Sequence, residues 1–71
     1  MKTKKQELKD SPVYYFGGNT SMVCYIDLND DYFCIKLCLI GVGDKGYKYK
    51  TYNGLVNKRN ELIDKYSLLR A

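Results

Sequence analysis

Apolar and polar side chains alternate through the first two thirds of this chain, then switch to a three-to-four-residue spacing. Val13 to Phe16 is a short β-type run, followed by the turn cluster Gly17-Gly18-Asn19-Thr20. Met22 to Leu28 reads as a second strand and Tyr32 to Ile40 as a third, with Asn29-Asp30 between them. A two-residue loop at Asn29-Asp30 sets Leu28 opposite Asp31, Ile26 opposite Phe33, Cys24 opposite Ile35 and Met22 opposite Leu37. Residues directly opposite one another share a face, so this register gathers the last three pairs onto one apolar surface. The other face receives Val23, Tyr25, Asp27, Tyr32, Cys34 and Lys36.

Gly41 to Gly46 reads as a glycine-rich loop, and Tyr47-Lys48-Tyr49-Lys50-Thr51-Tyr52 alternates as a fourth strand. From Gly54 the period becomes helical: Leu55, Val56, Arg59, Leu62, Ile63, Tyr66 and Leu69 form a stripe, with Asn53 as the N-cap. Beyond Met1, residues 1–11 hold one large apolar side chain, Leu8. They read as a flexible or weakly helical basic arm that Pro12 ends. The expected architecture is α+β: a small four-stranded antiparallel meander, β-β-β-β-α, with one C-terminal helix on one sheet face. Residues 1–11 are then the arm and 12–71 a single domain.

Composition narrows the function. Seventy-one residues allow one domain, which at this size buries only about 60% of its unfolded surface. A chain that is 45% hydrophobic and 28% charged is a folding one. Histidine is absent, which removes the commonest general acid–base, the Ser-His and Cys-His nucleophile pairs, and the commonest zinc ligand. Three cysteines do not complete a four-cysteine zinc site. No catalytic residue, metal ligand or cofactor is therefore assigned, and the chain reads as a non-enzyme.

Cys34 and Cys38 on one strand stand about 13 Å apart, beyond the reach of roughly 7 Å that a disulfide spans. The N-terminus, Met-Lys-Thr-Lys-Lys-Gln-Glu, does not resemble a signal peptide, and no apolar run is long enough to span a bilayer. A cytoplasmic protein with reduced thiols is the expectation.

Charge sharpens the question of partner. The net charge of +4 is distributed as +2 over residues 1–10, −3 over 11–44 and +5 over 45–71. That asymmetry points to an acidic protein surface or a polyanion. Gly41-Val42-Gly43-Asp44-Lys45-Gly46 matches G-x-G-x-x-G, but a strand pattern follows where the dinucleotide motif requires a helix. A weaker reading survives, in which Gly43, Lys45 and Gly46 hold a phosphate. Asp27-Leu28-Asn29-Asp30-Asp31 opens like an EF-hand loop. Tyr32 stands where glycine is needed and Cys38 where glutamate is needed, which leaves a turn with solvated carboxylates.

Eight tyrosines, against two phenylalanines and no tryptophan, carry the strongest signal. With a helix over the apolar face, the opposite face presents Tyr25, Tyr32 and Lys36 with one set from strand four. That set is Lys48, Lys50 and Tyr52 in preference to Tyr47, Tyr49 and Thr51, because lysines seldom lie under a helix. A face of tyrosines and lysines suits protein recognition or stacked bases. Arg59, the one charge in the helix stripe, snorkels to the rim or meets an anion. Cys34, Cys38, Ile40 and Val23 make a mildly apolar stripe that is also a candidate homodimer seam.

In size, Lys/Asn/Tyr-rich composition and lack of catalytic equipment, the chain is similar to small binding proteins of phages that infect low-GC bacteria. The similarity is one of type, carried by no particular motif. It implies an inhibitor or modulator in the host cytosol that binds a nucleic-acid-processing or defence protein, in the manner of an anti-CRISPR. Its binding residues would be Tyr25, Tyr32, Lys36, Lys48, Lys50, Tyr52 and Arg59. The alternative is single-stranded nucleic acid or a nucleotide on the same face.

Overall fold

A computed structural model of the chain describes residues 3–71. It has the order α1 (Lys4–Asp10), β1 (Val13–Gly17), β2 (Thr20–Ile26), β3 (Phe33–Leu39), β4 (Gly43–Tyr49), α2 (Tyr52–Tyr66) and β5 (Leu69–Arg70). The strands form one sheet in the order β4-β3-β2-β1-β5, with every neighbouring pair antiparallel. The α+β class and the four-strand meander are those expected from the sequence. A fifth strand and an N-terminal helix are additions to it.

The β2–β3 register pairs Met22 with Leu37, Cys24 with Ile35 and Ile26 with Phe33, as the alternation predicts. Ile35 and Leu37 are 1% and 0% exposed. The connecting loop differs from the expected two-residue turn. Asp27 donates its N–H to the Tyr32 carbonyl at 3.0 Å, so four residues, 28–31, form the loop. Leu28 and Asp31 are not a closing pair; Leu28 is 85% exposed, and Asp31 takes the left-handed conformation at φ 60°. Lengthening a loop by one residue on each side leaves its axis unmoved, which is why the register survives the change.

The glycine-rich segment also differs from expectation. Only residues 40–42 form a loop, and β4 begins at Gly43 opposite Leu39. The strand ends at Tyr49, before the expected Tyr52. Its pairing sets Tyr47 opposite Ile35 and Tyr49 opposite Phe33, so these two tyrosines lie on the core face. Tyr49 packs against the first turn of α2, where a Cβ on Gly54 would meet its ring at 3.1 Å.

α2 starts two residues earlier than the Asn53 cap predicts. Thr51 is the N-cap, and its hydroxyl accepts the Gly54 N–H at 3.2 Å. Leu55 and Leu62 are its buried residues, and the helix packs over β3 and β4. It stops at Tyr66, where Ser67 turns left-handed at φ 53° and the Leu68 N–H bonds back to the Ile63 carbonyl. Leu69, placed by its spacing on the helix stripe, therefore enters β5 beside Phe16. This return passes close over β1: a Cβ on Gly17 would lie 2.8 Å from the Ser67 carbonyl oxygen.

Residues 4–10, expected as part of an arm, form α1 with Thr3 as N-cap. The Thr3 hydroxyl accepts the Gln6 N–H at 3.1 Å. The helix lies against β2 and its Leu8 joins the hydrophobic core at 7% exposure.

Candidate functional site

α2 sits on the core side, while α1 adds Leu8 to the core and, through Leu8 and Lys9, borders one corner of the second face; among the described residues no helix lies across the rest of that face. The ladders order that face into three rows. Leu69, Phe16, Ser21, Cys38 and Asp44 make the first, and Tyr14, Val23, Lys36 and Gly46 the second. Tyr25, Cys34 and Lys48 make the third. Tyr14 and Phe16 are 51% and 53% exposed and Leu69 is 76% exposed. Beside the third row lies a shallow depression of about 520 Å³. Tyr14, Val23, Tyr25 and Leu28 are among its lining residues.

The lysines of this face are already neutralised. Lys48 Nζ lies 2.7 Å from Asp30 Oδ2 and 3.2 Å from Asp27 Oδ2, and 5.9 Å from the centre of the Tyr32 ring. Hydrogen bonds to Asp30 and then Asp27 push the Lys48 ammonium above its ordinary range. The Asp27 carboxyl is held below its usual value, first by the Asn29 N–H at 2.8 Å and then by Lys48. Lys36 Nζ is 3.8 Å from Asp44 Oδ2. A phosphate at this face would compete with these carboxylates for the two ammonium groups.

Of the seven residues that the sequence nominates for partner binding, the structure brings four together on the uncovered face: Tyr25, Tyr32, Lys36 and Lys48. The other three lie elsewhere. Lys50 is exposed beyond the end of β4. Tyr52 is the first residue of α2, with its ring centre 5.8 Å from that of Phe33 on the core side. Grouping Lys48, Lys50 and Tyr52 on one strand face is thus corrected: the strand stops at Tyr49 and the helix rotates Tyr52 inward. Arg59 also belongs to α2 and lies on the helix side of the sheet. Gly43, Lys45 and Gly46 are strand residues paired with Leu39, Leu37 and Lys36, a flat ladder in place of the expected loop. Gly41 and Gly43 have positive φ, 83° and 121°, at the hairpin turn.

Tyr14, Phe16 and Leu69 were not identified from the sequence. All four residues from Val13 to Phe16 are apolar or aromatic, so periodicity does not choose a face for them. Pairing with β2 does, by setting Tyr15 opposite Met22.

Every buried side chain among the described residues is uncharged. Among those residues no group of three or more His, Cys, Asp or Glu side chains is placed to hold a metal ion, and no helix is long and apolar enough to cross a membrane. No protein-family model matches the chain, and comparison with curated proteins and with solved structures gave no significant match.

Proposed function

We propose that this chain is a small non-enzymatic binding protein that docks on a protein partner through the uncovered sheet face. One observation carries the reading: the face presents Tyr14, Phe16, Tyr25 and Leu69 together, while its lysines are bound to carboxylates of the same chain. Rigid aromatic side chains in a setting of low net charge are the composition of protein-binding hot spots. A single-strand nucleic-acid platform instead needs cations free to follow a phosphate backbone. The type of small phage protein that the composition resembles supports a host nucleic-acid-processing or defence protein as the partner.

The test is affinity capture from the native host, with and without nuclease, using the wild type and a Tyr14→Ser, Phe16→Ser double variant. Both residues are about half exposed, so the variant keeps its fold by circular dichroism. Its affinity for the captured protein falls at least about tenfold, the loss of one or two aromatic anchors. Lys65→Gln on the solvent side of α2 binds as wild type. Capture that disappears with nuclease, or affinity that falls steeply with salt, would show a nucleic-acid partner and overturn the proposal.

A further inference from the structure

α2 roofs β3 and β4, and α1 lies against β2, so the β1 side of the core face stays open between the two helices. A cleft of about 730 Å³ occupies that gap, within the roughly 300–1,000 Å³ typical of small-molecule sites. Val13, Tyr15 and Cys24 of the sheet line it, as does Tyr52. Three elements bring basic side chains to it, Lys4 from α1, Arg59 from α2 and Arg70 from β5, and α1 also lines it with Glu7 and Asp10.

Arg59 interrupts the buried stripe of its helix. Leu55 four residues before it and Leu62 three after are 1% and 3% exposed, and Arg59 itself is half-buried. Its Nε and Nη2 donate to Asn60 Oδ1 at 3.3 and 3.2 Å, a neutral acceptor on the next residue. Among the described residues, no carboxylate forms an ion pair with Arg59 or Arg70. Glu7 on the α1 wall is taken by Lys4 at 3.7 Å, and Asp10 is engaged as well. A guanidinium drawn out of water without an anion is costly. Half-buried Arg59 and exposed Arg70 both line the cleft, and a guanidinium is the side chain whose paired N–H donors suit the oxygens of a phosphate group.

We propose that this cleft binds a phosphate monoester attached to an aromatic body, a ligand of mononucleotide size. Arg59 and Arg70 hold the phosphate, and the ring system packs against Tyr52. Arg59 and Tyr52 place the site on the helix side of the sheet, and Tyr14 lines its rim as well as the second face; the arginine variants leave the second face unaltered, so the two readings fail separately.

The probe is adenosine monophosphate, titrated into the isotope-labelled full chain and followed by amide NMR, with inorganic phosphate as comparison. Saturable shifts are expected at Val13, Tyr15, Arg59 and Arg70, at lower concentration with adenosine monophosphate than with phosphate. Arg70→Gln alters an exposed side chain, so the fold holds. Its affinity drops about tenfold, the loss expected for a charge-assisted hydrogen bond. Arg59→Gln weakens binding at least as much, whereas Lys48→Gln on the far face leaves it unchanged. No saturable response at millimolar ligand, shifts confined to the uncovered face, or affinity indifferent to both arginine variants would each overturn the site. Equal affinity for inorganic phosphate would overturn the aromatic half of the proposal.

Discussion

Cys24, Cys34 and Cys38 show how far one residue type is differentiated by its place in a pleat. Cys24 points into the core and is 2% exposed. Burial pushes its thiol up to about 11 against the opposing pull of Arg59. Cys34 belongs to the uncovered face yet is equally buried; burial and the Asp27 carboxylate both raise it. Cys38 is partly exposed. The β2–β3 ladder sends Cys24 and Cys34 to opposite faces, and all three thiols are free. With iodoacetamide near pH 8, Cys38 is expected to react first, with Cys24 and Cys34 well behind, because both are buried from the reagent and burial disfavours their thiolates. Peptide mapping after a timed reaction reads the order, and unfolding in denaturant should release all three. Native Cys24 reacting as fast as Cys38 would place it outside the core.

At the scale of elements, the β2–β3 loop is held by its own carboxylates. Asp27 Oδ1 accepts the Asn29 N–H at 2.8 Å, Asp30 Oδ1 the Tyr32 N–H at 3.2 Å, and the Asp27 carbonyl the Asp31 N–H at 2.8 Å. These bonds support the left-handed Asp31. Lys48 reaches the loop from β4 and Lys9 from α1, the latter 2.9 Å from Asp31 Oδ1. The Asp27 and Asp31 carboxyls are both lowered, Asp27 mainly by the Asn29 N–H and Asp31 mainly by Lys9. A carboxyl with a depressed folded-state value adds stability above its unfolded value, 3.8 here, and loses it as pH falls through the folded value. The urea midpoint of the wild type should therefore decline as pH drops below about 4, and that of Asp27→Asn should decline less. Parallel pH profiles for the two proteins would mean that Asp27 contributes nothing through its charge.

For the whole molecule, the decisive feature is uneven cover. One sheet face carries α2 with a cleft between it and α1, and the other, among the described residues, is bordered only at one corner by α1. α1 closes one end of the core through Leu8, with Lys5 Nζ 5.6 Å from the Phe33 ring centre and Lys4 Nζ 6.0 Å from that of Tyr52. The basic N-terminal segment thus contributes packing as well as charge. Leu8→Ala should destabilise the protein by about 2–4 kcal/mol, the cost of a buried leucine. For a chain this small that is a large share of the total. Urea unfolding measures it, and an unchanged midpoint would show that α1 does not hold the core together.

Alternation along the chain is enough to fix the β2–β3 register, because a slip of one residue would turn Met22, Cys24, Ile26, Phe33, Ile35 and Leu37 out to water. The chain also specifies α2 as an element, since Leu55, Leu62 and Tyr66 share a face only at helical period. Part of the candidate site was legible on the same grounds: Tyr25, Tyr32 and Lys36 follow from that register alone. Everything that depends on a distant partner was decided by tertiary structure. Gly43 to Gly46 carry almost no side-chain pattern and become a strand by pairing with β3. Leu69 fits the helical spacing, but β1 offers a free edge where the helix ends. Tyr14 and Tyr15 are identical neighbours, and only β2 decides which is buried. Lys48 reads as an available cation until folding brings it to Asp30, eighteen residues away in sequence. Local periodicity records which residues share a face, whereas ion pairing, edge pairing and cover depend on chain segments that meet only after folding.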